Sequence, residues 1–231
     1  PAYERGDMVF LKGGDIKTLY VNYAGPVSDI NSTAVITWSS GTWPISGSLL
    51  AYCSYDLSNG GKDGRCQAFL REPGAFIEAH GPLQFTYGTC PRAKADGSGS
   101  PAQTICVRST TFEGKPVAYD SSYDLIVYGP KQGELYSRVG DIVHRVRLAV
   151  RGADGTAIYL TKGDNNPVFD LQAYDYAAEA GNSPVQMSQI RGHVFARLPF
   201  IGNLKLFITP QILADPASQS GCDTNFVDGY R

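Results

Sequence analysis

Short apolar runs, broken at close intervals by turn residues, make up most of the chain, and no segment sustains a long 3.6-residue apolar period. Met8–Leu11 is apolar and bounded by glycines, and Thr33–Trp38 is rich in β-branched residues and ends near a Ser40-Gly41 turn signal. Leu49–Tyr52, Leu83–Tyr87, Leu125–Tyr128, Ile142–Val150, Ala157–Thr161, Ile190–Phe195 and Leu204–Ile208 read as further strands. Clusters such as Ser58-Asn59-Gly60-Gly61 and Asp96-Gly97-Ser98-Gly99-Ser100-Pro101 separate them. One short helix is expected near Leu171–Glu179. The fold class that follows is mostly β.

The strand from Ile142 carries the first candidate chemistry. Side chains alternate faces along a strand, so His144, Val146, Leu148 and Val150 are expected on one face and Arg145, Arg147 and Arg151 on the other. A histidine opening an apolar face is disfavoured in its charged form, and a neutral imidazole can accept a proton as a general base. The competing reading is a structural histidine held by hydrogen bonds; His80 and His193 read as structural or solvated. Downstream, Gly163-Asp164-Asn165-Asn166-Pro167 is a strong turn sequence. Asp164 is explained by that turn, whereas Asp170, six positions on and beside Phe169, is placed to reach a neighbouring strand. One histidine and two carboxylates suggest a base and its orienting acid, with a solvent-facing acid as the bland alternative for Asp170.

Composition narrows the setting. The chain has 231 residues, 42% of them hydrophobic, enough for one large domain or a domain with a big insertion. A net charge of −2 supplies no basic field for nucleic acid. No apolar run approaches the roughly 20 residues of a membrane span, and no leader is visible. Pro1 in place of an initiator methionine reads as the start of an excised piece of a longer protein. Five cysteines are present, with Cys53 and Cys66 separated by 13 positions and Cys90 and Cys106 by 16. Neither spacing is a zinc pattern, and no metal or cofactor is expected. Two local disulfides in an oxidising compartment, or buried free thiols, account for them, with Cys222 left over in a polar tail. A nucleophile is missing: there is no Gly-x-Ser-x-Gly elbow, and the serines cluster in Gly/Ser loops.

Four segments, in order, resemble type I signal peptidase of the archaeal and endoplasmic-reticulum kind. Pro1-Ala2-Tyr3-Glu4-Arg5-Gly6-Asp7-Met8-Val9-Phe10-Leu11 resembles the stretch following that family's catalytic serine, where Ser-Met-x-Pro precedes a Gly-Asp and an apolar strand. Tyr123-Asp124-Leu125-Ile126-Val127-Tyr128-Gly129-Pro130 is similar to its second Gly-Asp-led strand, with Tyr123 in place of glycine. His144-Arg145-Val146 matches a His-Arg-Val, and Thr161-Lys162-Gly163-Asp164-Asn165-Asn166, with Asp170 following, matches its acidic segment. Gly192-His193-Val194 through Leu198-Pro199-Phe200-Ile201-Gly202 looks like its closing strands.

The resemblance implies a catalytic core over residues 1–14 and 121–210, a β-rich insertion over 15–120 holding the paired cysteines, and a polar tail over 211–231. It implies a serine three positions before Pro1, His144 as general base, Asp170 as the acid orienting it, and Asp164 bracing the site or sharing that role. The implied activity is removal of signal peptides from secretory preproteins, on the extracytoplasmic face of a membrane reached through an anchor outside this chain. An extended preprotein would pair with a strand edge, with Met8–Leu11 and Leu125–Tyr128 as pocket walls. The insertion would contact the membrane, the translocation machinery or substrate, or only add stability, with Trp43 either an exposed interfacial residue or a core one. Two other functions remain open from the residues: a repressor-type autoprotease of the same fold, which the paired cysteines disfavour, and a non-catalytic cell-surface β-module for binding.

Overall fold

The computed structural model describes residues 8–39, 41–92 and 102–198. The expected strand Leu204–Ile208, the tail over 211–231 and Cys222 lie outside these described residues. In chain order the elements begin with β1 (Met8–Lys12), β2 (Tyr20–Tyr23), β3 (Thr33–Trp38), β4 (Gly41–Ser46), α1 (Leu49–Ser58), α2 (Gly64–Arg71), β5 (Ile77–His80), β6 (Leu83–Arg92), β7 (Ala102–Phe112) and β8 (Lys115–Pro116). They continue with β9 (Leu125–Tyr128), β10 (Ile142–Gly152), β11 (Ala157–Lys162), β12 (Tyr174–Asp175), β13 (Ala180–Gly181), β14 (Val185–Gln186) and β15 (Ile190–Leu198). The protein is mostly β, as the run pattern predicts.

Two large sheets carry the fold. The first has the order β1-β15-β9-β10-β11-β14, with β2 pairing β10 in parallel; the second runs β4-β3-β5-β6-β7-β8. Sheet order follows from who can pair: the long β10 meets β9 through Ile142–Arg145 and β2 through Ala149–Gly152, and β11 on its other side. The sheets share a core in which Phe85 and Phe112 of the second pack with Leu148, Val150 and Leu160 of the first. Burial of such side chains stabilises each by about 1.5–3 kcal/mol. Tyr20–Tyr23, within the stretch that the sequence assigns to an insertion, thus lies in the first sheet, while residues 33–116 build the second.

Three local expectations are corrected. Leu49–Tyr52 is the start of a helix, not a strand. Ser48 Oγ caps it by accepting from the Ala51 amide at 3.1 Å, which satisfies one of the free N–H groups of the first turn. Gly47 precedes it at φ +68°, where an added Cβ would sit 2.2 Å from Tyr174 Cβ. Asp63 caps α2 from the Arg65 amide in the same way, and the Cys53–Cys66 disulfide ties the two helices together. Cys90 and Cys106 form the second disulfide, across β6 and β7.

The helix expected over Leu171–Glu179 is one 3-10 turn, Asp170–Gln172, followed by the hairpin of β12 and β13. Asp175 accepts from the Ala177 and Ala178 amides, and Glu179 stands at φ +50°, so the chain turns back instead of continuing.

The third correction concerns β10. Val146 pairs with Thr161 and Leu148 with Leu160, so Arg147 is an extra residue against β11. A bulge of this kind reverses which face later residues occupy. Ile142 and Val146 accordingly join one core cluster with Ala149, while Leu148 and Val150 join another. The single apolar face expected from strict alternation is two faces. Trp43 resolves towards packing: it lies in β4, edge-on to Phe76 at 6.5 Å, with the Arg65 guanidinium 4.6 Å from its ring.

Candidate active site

His144 sits near the start of β10, opposite Ile126 of β9. Its ring stands edge-on to Tyr136 at 6.1 Å, and its side chain is 17% exposed. Pro167 ends the acidic turn, and the chain then buries Val168 and Phe169 before closing the 3-10 turn that begins with Asp170. This brings the Asp170 carboxylate to His144 Nδ1, at 2.8 Å from Oδ1 and 2.7 Å from Oδ2. With a carboxylate there, Nδ1 carries the proton and donates, which leaves Nε2 as the reactive nitrogen. Among the described residues nothing hydrogen-bonds Nε2.

Asp170 is only 2% exposed, so its charge depends on partners. The Thr161 hydroxyl donates to Oδ2 at 2.5 Å and the Tyr128 hydroxyl at 3.0 Å, and Asn182 Nδ2 donates to its backbone oxygen at 3.0 Å. Burial by itself raises the carboxyl pKa, but the facing His144 charge and the hydrogen bonds from His144, Thr161 and Tyr128 outweigh it and hold Asp170 below the ordinary carboxylate range. Burial, then the Asp170 charge, pushes the Tyr128 phenol up, which keeps it a neutral donor. An ionised acid behind a histidine fixes its tautomer and steadies the imidazolium.

Asp164 is placed differently. Arg145, next to His144 and so on the opposite side of the strand, donates to it through Nε at 2.9 Å and Nη2 at 2.8 Å, and Arg147 Nη2 adds a bond at 3.0 Å. Arg145 Nη1 also donates to the Ser121 and Tyr123 carbonyls at 2.8 and 2.5 Å, which ties the chain before β9 to the acidic turn. Burial opposes ionisation of Asp164, but the Arg145 hydrogen bonds and the nearby cations lower its pKa. The structure thus brings Asp170, and not Asp164, to the imidazole.

The acidic turn also touches His144 directly. A Cβ on Gly163 would lie 2.8 Å from His144 Nε2 and 2.8 Å from the Asn166 amide. Only a glycine lets the backbone approach so closely. Behind the turn, a cavity of about 110 Å³ is lined by the Cys90–Cys106 hairpin, Lys162 and Asn166. Burial first, then the Arg147 charge, pushes the Lys162 ammonium down to about 8.

The other histidines are structural. His80 is fully buried, with Nδ1 2.7 Å from the Asn31 carbonyl and Nε2 2.9 Å from Glu78 Oε1. His193 is buried in β15, 4.0 Å from Asp124. Ser137 donates to the Glu134 carbonyl at 2.6 Å within its own turn. Tyr128, Thr161 and Asn182 are the residues that sequence reasoning misses. Only Thr161 leaves a trace, as a hydroxyl closing the apolar run of β11; Tyr128 is 42 positions from the acid it serves.

Among curated proteins, the chain is similar to the signal peptidase complex catalytic subunit SEC11 of Debaryomyces hansenii, 35% identical over 89 residues. The match takes in 38% of this chain and 48% of that protein, so the chain spans about half the length of the curated relative it matches. It supports a relation to the signal peptidase family. No family model matches the chain, and no solved structure matches it.

Proposed function

We propose that this chain is the catalytic portion of a signal-peptidase-type serine endopeptidase of the Ser-His-Asp kind, which removes signal peptides from secretory preproteins. The observation that carries the reading is the His144–Asp170 pair: a base with its Nδ1 held by a buried carboxylate and its Nε2 without a hydrogen bond from the described residues. The likeness to a signal peptidase catalytic subunit selects peptide cleavage from the reactions such a pair serves.

In this reading the nucleophile is a serine before Pro1, as the resemblance of residues 1–11 implies. His144 Nε2 takes its proton as the hydroxyl attacks the scissile carbonyl, and returns it to the leaving amine. Asp170 holds the imidazole and stabilises its charged form; Asp164, locked to Arg145 and Arg147, braces the turn that carries Gly163 against the ring. The outer edge of β1, unpaired among the described strands, offers backbone groups to an extended preprotein, with Phe10 and Leu11 exposed beside it. β9 lies between β15 and β10, so it contributes side chains and no free edge. The site faces the extracytoplasmic side of a membrane, held there by an anchor outside this chain, where disulfides persist. No helix among the described residues is long and apolar enough to cross a membrane.

The test uses the full-length protein with a preprotein bearing an Ala-x-Ala-type site. Cleavage is expected, with its loss in His144→Ala. Undiminished cleavage by His144→Ala sinks the assigned role, and binding without any cleavage by the wild type favours a non-catalytic module.

A further inference from the structure

Asp170 begins a turn only three residues long, and a single 3-10 turn holds its own orientation poorly. Phe169 and Leu171 anchor it in the shared core, but apolar contact is non-directional. Beyond the bonds that Thr161, Tyr128 and Asn182 make to Asp170 itself, a directional restraint on the turn comes from Gln172, which is fully buried. Its Oε1 accepts from the Phe169 amide at 2.9 Å, closing the turn. Its Nε2 donates to Glu78 Oε1 at 2.5 Å and approaches the Tyr87 hydroxyl at 3.2 Å.

Glu78 belongs to β5 of the second sheet, 94 positions from Gln172, and is itself fully buried. Every side of its carboxylate is occupied. Oε2 accepts from the Leu49 amide at the head of α1 at 2.7 Å and from the Tyr87 hydroxyl at 2.6 Å, and Oε1 also meets His80 Nε2 at 2.9 Å. A buried carboxylate is costly unless its partners are complete, and a completed network is rigid because each bond has one geometry. The network therefore anchors Gln172 to the frame of the second sheet.

We propose that Glu78 and Gln172 are positioning residues for Asp170: the second sheet, through this buried network, sets the angle at which the Asp170 carboxylate meets His144. The effect on turnover rests on the catalytic reading above; the restraint on the imidazole does not. The second sheet thereby acts on the chemistry without touching substrate.

The direct readout is the His144 Nδ1 proton, followed by NMR in this chain. Gln172→Met keeps the length of the side chain and removes all three of its amide's hydrogen bonds; it is expected to shift that resonance and to speed its exchange at least tenfold. Glu78→Gln alone puts an amide NH2 in place of one of two accepting oxygens, where it faces either the Gln172 amide or the Leu49 N–H, and is expected to do the same, so the test survives if one variant fails to fold. The exchanged pair Glu78→Gln with Gln172→Glu restores one donor and one acceptor and is expected to return the resonance to its wild-type position. Trp38→Ala weakens the second sheet at its stack on Phe76, which reaches the network's Tyr87 only through Phe69, and is expected to leave the proton unchanged.

An unchanged proton in Gln172→Met and Glu78→Gln, or an equal change in Trp38→Ala, overturns the proposal. Cleavage assays in the full-length protein separate the two claims. Activity surviving Asp170→Asn sinks the catalytic reading and leaves the restraint standing. Activity lost in Asp170→Asn, with a wild-type proton in both network variants, sinks the restraint alone.

Discussion

Asp170 and His144 lie 26 positions apart in sequence and meet at 2.7 Å, the acid buried and the base partly open. The acid is therefore shielded from competing water while the imidazole keeps part of its surface open. Asp170→Asn keeps the shape and removes the charge that selects the tautomer. In the full-length protein the expected loss is about 10³-fold or more in kcat, with little change in KM, measured on a preprotein substrate.

Gly163→Ala tests the contact between the acidic turn and the base. The new methyl meets the end of the Asn166 side chain, which can swing aside, and His144 Nε2, whose ring Asp170 restrains. Stability is expected to fall by only about 1–2 kcal/mol, while activity falls by roughly 10-fold or more because the reactive nitrogen is displaced. Denaturant melts and kcat/KM on the same preparation check the two together.

The acid limb of stability follows from Asp170 and Asp164. Both titrate lower in the folded protein than in the unfolded chain. Their contribution is complete above the ordinary carboxylate pKa of about 4 and is lost as pH falls through the lowered folded values. Unfolding free energy measured from pH 7 downwards should drop less steeply in Asp170→Asn than in the wild type, from a lower starting point.

Lys162 gives a slope of the same sign in an alkaline window, because its folded pKa is lowered too. Its ammonium is pushed down to about 8 in the folded protein, against about 10.4 when unfolded. Below pH 8 the folded state carries a buried charge it would shed, and that penalty is relieved as pH rises from about 8 to about 10.4. Lys162→Met should be more stable than the wild type by about 2 kcal/mol at pH 7, and the difference should shrink on raising pH through that window.

The helices α1 and α2 depend on the Cys53–Cys66 bridge as well as on their caps. Removing it as Cys53→Ala/Cys66→Ala frees a loop of 13 positions and should lower stability by about 3 kcal/mol. Denaturant midpoints of oxidised wild type against the double variant measure this.

The strand runs, the acidic turn and the cysteine pairs were legible because each rests on chemistry read along one stretch of chain. Thr33–Trp38 and Leu125–Tyr128 are strands in the fold as in the pattern. Leu49–Tyr52 misled because four apolar residues fit either a strand or the first turn of a helix, and the Ser48 cap decides between them. The bulge at Arg147 left no sign, since it is a property of the pairing between two strands.

By itself the sequence determined a mostly β chain, one histidine with two candidate acids, and the cysteine spacing, all read along the chain without knowledge of which strands pair. Tertiary structure alone decided which acid faces the histidine. It gave Asp164 to Arg145 and Arg147, and surrounded Asp170 with Thr161 and Tyr128. It also set Gln172 against Glu78. The physical reason is that a buried charge must find donors wherever the sheets bring them, and strand register over tens of residues, not local spacing, determines which donors arrive.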